Sequence, residues 1–397
     1  MPITPLSITA YTLTSALGMG VAPSLAALRD GRSGLRPCDL KGVDLATWIG
    51  RVEGLEQVEL PPALRDYDCR NNRLALLALE QDGFQAKLEG LIEDYGAARI
   101  GVFIGTSTSG IACTEDAYLS QGPDPDRLRQ DFDITKTHNI FSSVAFIRAL
   151  TGLKGPALAI STACSSSAKV FAAAHRYMAM GLCDAALVGG VDSLCLTTLY
   201  GFNALDLISD QPCRPWDLER RGINIGEAAG FALLESDAEG RSAPRLLGYG
   251  ESSDAYHMST PHPEGAGAAL AMRQALERAG LTPDQVDYIN LHGTATRSND
   301  AAEDYAVQGL FGTQLPCSST KGYTGHTLGA AGIVEAIFSL LAIEHDLMPA
   351  TQQTQTPDPE LHAHVLLQPI SGKVQRVLSN SFGFGGNNCS LLFGAPL

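Results

Sequence analysis

Four short stretches place chemically capable residues at close spacing. In STACSSSAKV (161–170), Cys164 follows a short apolar run at 157–160 and precedes a helix pattern of small residues. A thiol at a helix start meets unsatisfied N–H groups and the positive end of the macrodipole, which lowers its pKa from ~8.5 towards ~3.5–7.5. Two readings stand: a nucleophile, or the compact buried hydrophobe that most free cysteines are. In NLHGTATRSND (290–300), His292 follows the apolar strand end Tyr288-Ile289 and precedes a glycine turn. α/β folds assemble sites on such loops, although a lone histidine there also suits a structural role. In STKGYTGHTLGAAGIVEA (319–336), Lys321, His326 and Glu335 surround a glycine-rich turn that opens a helix. Walker A spacing is absent, so the loop is not read as a phosphate cradle. His326 near a helix start tends to stay neutral, able to donate one hydrogen bond to an oxyanion. The fourth stretch, NSFGFGGNN (380–388), combines Phe382 and Phe384 with three glycines. It reads as a hairpin turn, or as a backbone N–H aimed at a reacting carbonyl beside an aromatic gate.

These residues need elements to position them. Apolar runs bounded by Gly or Ser (99–110, 184–194, 286–296) read as buried strands, and 165–180, 267–279 and 330–344 read as helices. Their alternation implies an α/β architecture with a largely buried sheet. The order also repeats. GTST at 105–108 matches GTAT at 293–296, and STACSSSAKVFAAA parallels STKGYTGHTLGAAG. A duplicated βα core follows, with halves at 1–240 and 241–397 that meet near 235–260 through a surface crossing.

Composition excludes several classes. With 397 residues, 45% hydrophobic, and 41 glycines, the chain can bury a large interior. Nine irregularly spaced cysteines without CxxC indicate neither a disulfide framework nor a zinc site, so no metal is expected. Reduced thiols suit the cytoplasm. No basic residue precedes Arg29 and polar residues interrupt the N-terminal apolar ones, unlike a signal peptide. The most apolar later stretch, 330–343, is too short to span a bilayer and contains Glu335, so no membrane insertion is expected. A net charge of −15 argues against nucleic acid.

Taken in order, TACSSS, HGTxT, KxxxGHxxGAAG and NSFGFGG resemble the β-ketoacyl-acyl carrier protein synthases of the thiolase fold, in the branch with a Cys-His-His site. CRPWDLERRGINIGEAAGFALLE, from Cys213, is similar to the segment the family places between cysteine and first histidine. The resemblance implies a duplicated βα core in five α-β-α-β-α layers. It makes Cys164 the acyl-accepting nucleophile and gives His292 and His326 the malonyl thioester carbonyl. Lys321 and Glu335 fall on supporting positions. Thr294 and Thr296 would hold the phosphopantetheine arm. The backbone N–H groups of Cys164 and Phe384 would make an oxyanion hole, with Phe384 also a gate. Ile111 would line the acyl pocket, and Phe382 would bind substrate. The expected reaction is decarboxylative Claisen condensation of an acyl thioester with malonyl-acyl carrier protein, without a cofactor, because the substrates ride on the carrier's phosphopantetheine.

Such chemistry needs a polarisable thiolate to park the acyl chain, two neutral imidazole donors for the enolate, and backbone donors for the second oxyanion. A Cys-His-Asp hydrolase needs a carboxylate beside its histidine, and none is evident. A thiolase acting on coenzyme A would carry a second cysteine in the last glycine-rich block, yet Cys389 lies beyond it. A non-catalytic chain-length factor would lack Cys164. Ser161, Gly322, Arg297 and Asn387 depart from common family residues, and with the N-terminal SALGMGVAPSLAALRDGRSGLRP they point to a specialised branch of the aryl-polyene type. Carrier proteins are acidic, so a locally basic docking face is expected. CRNNRLALLALEQDG presents Arg70 and Arg73 on a helix that resembles the family's docking helix, with Arg127, Arg129 and Lys136 as weaker candidates. The resemblance also implies a dimer, with an identical subunit or a chain-length-factor-like partner.

Overall fold

The computed structural model describes residues 2–120, 132–236 and 242–396. Its frame is a twelve-stranded sheet in which ten strands make two halves, Gly18–Met19 pairs with Leu6–Ser15, and His364–Val365 lies beyond Pro316–Ser318. The first half supplies β1 (Leu6–Ser15), β2 (Ile100–Gly105), β3 (Ala157–Ile160), β4 (Ala185–Asp192) and β5 (Ala228–Ser236). The second supplies β6 (Arg245–Ser253), β7 (Tyr288–Asn290), β8 (Pro316–Ser318), β9 (Arg376–Gly383) and β10 (Asn387–Gly394). β1 and β6 pair at the centre. Outward from that seam the order is β1-β5-β4-β2-β3 on one side and β6-β10-β9-β7-β8 on the other. Both sides run through two antiparallel pairings and then two parallel ones. The internal sequence echo is therefore a repeat of topology. β5 ends at Ser236 and β6 begins at Arg245; the crossing expected between them falls partly on residues 237–241, outside the described set.

Helices fill three layers. Two central helices, α4 (Ser166–Ala179) and α8 (Ala331–His345), pack on each other between the halves of the sheet and touch strands of both. Against the outer face of the first half lie α1 (Arg70–Leu79) and α3 (Ser142–Thr151), while α2 (Ile111–Leu119) and α5 (Leu196–Ala204) pack on each other. Outside the second lie α6 (Ala266–Ala279) and α7 (Arg297–Phe311). Three large hydrophobic clusters match this layering, one around the central helices and one beneath each outer layer.

α8 is apolar all round because protein surrounds it. The helical stretch Leu328–His345 is long and apolar enough to cross a membrane, but 89% of it is buried inside the fold. The small residues of α4 serve close packing. A Cβ on Gly332 would lie 2.3 Å from the Ala168 nitrogen, so the central helices cross nearly backbone to backbone. That crossing puts the start of α4 beside the loop that leads into α8.

Candidate active site

Cys164 sits in the turn between β3 and α4. Its neighbour Ala163 adopts a left-handed φ of 52°, a conformation that costs a non-glycine residue about 1–3 kcal/mol. The turn is held by the Ser166 hydroxyl, which donates to Ala163 O (2.6 Å) and accepts from Thr162 N (2.9 Å). Ala295 (φ 64°) and Leu328 (φ 53°) adopt the same conformation in the loops that carry the two histidines. All three loops thus store strain around one point.

There, Cys164 Sγ lies 3.0 Å from His326 Nε2. The His292 and His326 rings are 5.4 Å apart and nearly perpendicular. Hydrogen bonds on the far side of each ring decide its tautomer. Leu328 N donates to His326 Nδ1 at 3.3 Å, and the Lys321 ammonium, which has no lone pair, donates to His292 Nδ1 at 3.3 Å. Each imidazole therefore carries its proton on Nε2. Lys321 is buried, and its Nζ also bonds His292 O and Glu335 Oε1. Glu303 accepts from His292 N and Gly293 N, each at 2.8 Å, and from Asn380 Nδ2 at 3.1 Å, which fixes the loop that presents His292.

Burial dominates the electrostatics. It holds both imidazoles well below their ordinary pKa, reinforced by the nearby Lys321 charge, so both are neutral donors. Burial also pushes Glu303 and Glu335 up to about 7. The Cys164 thiol corrects the sequence-based expectation. Burial pushes it up to about 12, against the pull of Lys321 and of the Phe384 N–H directed at its sulfur. A helix terminus contributes about 0.3–1 kcal/mol, whereas full burial shifts a pKa by up to 3–5 units. The resting sulfur is a thiol, surrounded by donors ready for a thiolate.

A cleft leads from this point to the surface. It is lined by Cys164, His292, His326, Phe382, Phe384, Thr294 and Thr296, among others. The two threonine hydroxyls lie 2.9 Å apart, and Thr296 also caps α7 through Asn299 N at 3.3 Å. Phe382 packs its ring 5.9 Å from that of His292, and Phe384 sits 5.5 Å from Phe202 of α5. Ile111 opens α2, half-buried, and is not among the residues lining the cleft. Gly322, one of the sequence departures, has a local reason: a Cβ there would lie 2.3 Å from Gln352 O.

Sequence reasoning missed three buried carboxylates. Glu303 is one. Asp192, at the end of β4, accepts from Thr106 Oγ1 (2.6 Å), Ser107 N (2.9 Å), Thr108 N (2.9 Å) and Gly329 N (2.5 Å), tying the GTST loop to the turn after His326. Glu227 accepts from Val52 N and Leu194 N, each at 3.0 Å, and from Arg70 Nε (2.8 Å) and Nη2 (2.6 Å). Arg70 is thereby largely internal, its charge held by Glu227 and Glu56, so the expected basic pair on α1 is reduced to Arg73. Arg73 pairs with Asp68, and both side chains are about one third exposed. Lys136 lies over the Tyr67 ring, 4.3 Å from its centroid. Arg127 and Arg129 fall outside the described residues.

A thiol and two imidazoles within 4.8 Å of one another form a donor set that zinc accepts. In this site, however, each already serves a hydrogen-bonded arrangement suited to an oxyanion.

Comparison with known proteins agrees with this geometry. Residues 72–240 match the family described as Beta-ketoacyl synthase, N-terminal domain, and residues 244–355 match Beta-ketoacyl synthase, C-terminal domain. The 3-oxoacyl-[acyl-carrier-protein] synthase 2 of Vibrio cholerae is 34% identical over 97% of this chain and 98% of that protein. Among solved structures, a chain of the complex between the ketosynthase ApeO and its chain length factor ApeC, from Xenorhabdus doucetiae, is similar with a TM-score of 0.88 and 37% identity, covering 99% of this chain and 98% of that one. The ishigamide ketosynthase/chain length factor is similar with the same TM-score at 29% identity, covering 100% of both chains. With a thiol and two Nε2–H donors converging in a twice-repeated α/β frame, and with relatives matched along its whole length, this chain belongs to the β-ketoacyl synthase family.

Proposed function

We propose that the chain is a 3-oxoacyl-[acyl-carrier-protein] synthase, an acyltransferase that condenses an acyl thioester with malonyl-acyl carrier protein. One observation carries the reading: the 3.0 Å contact between Cys164 Sγ and His326 Nε2, with the neutral His292 ring centred 5.4 Å from that of His326. In the first half-reaction the Cys164 sulfur attacks the acyl carbonyl. The thioester bond to the carrier breaks, and the thiol proton ends on the departing pantetheine sulfur. His326 Nε2–H and Phe384 N–H stabilise the sulfur as it gains charge. In the second, the malonyl thioester oxygen accepts from the Nε2–H groups of His292 and His326 as carbon dioxide leaves. The resulting carbanion attacks acyl-Cys164, and the new oxyanion accepts from the backbone N–H groups of Cys164 and Phe384. Collapse releases 3-oxoacyl-carrier and returns the cysteine sulfur, which takes up a proton. Each donor of this kind contributes ~2.7–4 kcal/mol. No cofactor is needed in this scheme, since the phosphopantetheine arm, held by Thr294 and Thr296, brings both acyl groups.

The same reading gives the enzyme a chain-length-factor-like partner. The 37% identity to a chain of a ketosynthase solved in complex with its chain length factor supports this. So does β3, the outermost strand of its half, whose residues are only half-buried; an edge strand with free N–H and C=O groups invites pairing. A carrier protein docks near Arg73 and Lys136. Nine free thiols suit a reducing cytoplasm. The aryl-polyene product class is a sequence-based expectation, checked by the length and unsaturation of products made with and without the partner. For the enzyme itself the test is intact-mass analysis after incubation with an acyl-carrier thioester. An acyl adduct is expected on the native chain and not on Cys164→Ala; an undiminished adduct on that variant overturns the assignment.

A further inference from the structure

A second cavity, apart from the condensing cleft, is lined by two thiols. Cys69 caps the N-terminus of α1, its Sγ accepting from Asn72 N at 3.4 Å, and is buried at 3% exposure. Cys113 lies in the first turn of α2 and is half-buried. Both line this cavity, together with Glu56, Asp68, Arg73 and Asp116. Three further observations fix the sulfurs as neighbours. Cys113 Sγ donates to the carbonyl of Asp68, the residue before Cys69, at 3.7 Å. A Cβ on Gly110 would lie 3.0 Å from Cys69 Sγ. Gly110 O in turn accepts from Cys113 N at 3.0 Å. Neither thiol lines the Cys164 cleft, and the condensation uses neither.

The pair is asymmetric. Donation from Cys69 lowers the Cys113 thiol, with further help from the Arg73 charge, while the same contact and burial raise Cys69. A more accessible, more acidic thiol beside a buried partner is the arrangement that oxidant-sensing cysteines share. We infer that Cys69 and Cys113 form a reversible dithiol–disulfide switch operated by hydroperoxides. The Cys113 thiolate attacks one peroxide oxygen and the O–O bond breaks. Cys113 becomes a sulfenic acid, and the other oxygen leaves as hydroxide or alkoxide. The Cys69 sulfur then attacks the sulfenic sulfur. The sulfenic hydroxyl leaves with the Cys69 proton as water, and two electrons have passed to the peroxide. Disulfide closure brings the sulfurs to about 2.05 Å and ties the start of α2 to α1. The loop preceding α2 is held by Asp192, which also holds Gly329 beyond His326, so the tether reaches the condensing site.

The test uses the full chain as Cys164→Ala, treated with stoichiometric hydrogen peroxide, alkylated, and mapped by peptide mass without reductant. The expected product is a Cys69 peptide linked to a Cys113 peptide and short of two hydrogens, reversed by dithiothreitol. Adding Cys113→Ser should abolish it. Adding Cys69→Ser, which keeps a capping oxygen, should leave Cys113 as a sulfenic acid trapped by dimedone. In the chain with Cys164 intact, peroxide should lower condensation several-fold, with a dithiothreitol-recoverable part that Cys113→Ser lacks. Absence of the cross-link, linkage to a different cysteine, or a recoverable part equal in Cys113→Ser overturns the proposal. If the serine variants fail to fold, the cross-link map of Cys164→Ala alone decides.

Discussion

Replacing His292 and His326 separately by alanine should divide the two half-reactions unequally. Both imidazoles offer a neutral Nε2–H to the enolate oxygen, and loss of one preorganised donor costs ~2.7–4 kcal/mol, or ~10²–10³-fold. Malonyl decarboxylation should therefore fall by roughly that factor in both variants. Only His326, however, also holds the sulfur, at 3.0 Å. A hydrogen bond to a charged group contributes ~1.5–3 kcal/mol, so His326→Ala should slow acylation of Cys164 by about 10–100-fold. His292 directs its other polar contacts to Lys321 and Glu303, and His292→Ala should leave acylation within about threefold of native. Single-turnover acylation is followed by intact mass, and decarboxylation by carbon dioxide release from malonyl-carrier. Parallel loss of both steps in His292→Ala would refute the division of labour drawn from the hydrogen bonds.

Glu335 binds its proton more tightly in the folded chain, with a pKa raised by burial from 4.5 to about 7. Its favourable contribution to stability is therefore full below 4.5 and declines as pH rises towards 7; Glu335→Gln should flatten the fall in Tm across that window, and an unchanged slope in native and variant chains counts against the raised value. Gly332→Ala places a methyl 2.3 Å from the Ala168 nitrogen, so it should destabilise by at least ~1–3 kcal/mol in urea unfolding and slow acylation by shifting α4; a neutral result contradicts the close crossing. Arg70→Ala strands the buried Glu227 charge and should destabilise by ~3–5 kcal/mol, whereas Arg73→Ala, in a one-third-exposed pair, should change stability by ~0–1 kcal/mol. Equal losses in the two would mean that Arg70 is not internal. Arg73→Glu combined with Lys136→Glu should weaken carrier binding with only a small fall in Tm, since the Arg73–Asp68 pair is part-exposed, and unchanged binding removes that docking face.

Much of the site was legible because its parts are local. Cys164 before a small-residue helix, His292 after a strand end, and His326 in a glycine turn each carry their signal within about ten residues, and the repeated turns foretold the repeated topology. Glu303 escaped although it lies only 10–11 positions from the backbone it holds, and the other two carboxylates depend on contacts between distant segments. Asp192 meets the GTST loop across 84–86 positions of sequence, and Glu227 meets Arg70 across 157. Nothing beside these carboxylates announces the backbone N–H groups they satisfy. The same gap explains two corrections. A pair of arginines three apart on a helix reads as a surface patch until the partner of one is found inside. The Cys164 thiol reads as acidified at a helix end until burial, which no local pattern reports, is weighed.

The site is divided between the repeats: the sulfur follows β3 of the first, and both imidazoles follow strands of the second. Neither repeat holds a working set by itself. A single-repeat forerunner could have acted only as two chains clasped together, each carrying every group. In one polypeptide each copy is free of that duty, and the GTST loop that mirrors the His292 loop binds Asp192 where its counterpart presents an imidazole.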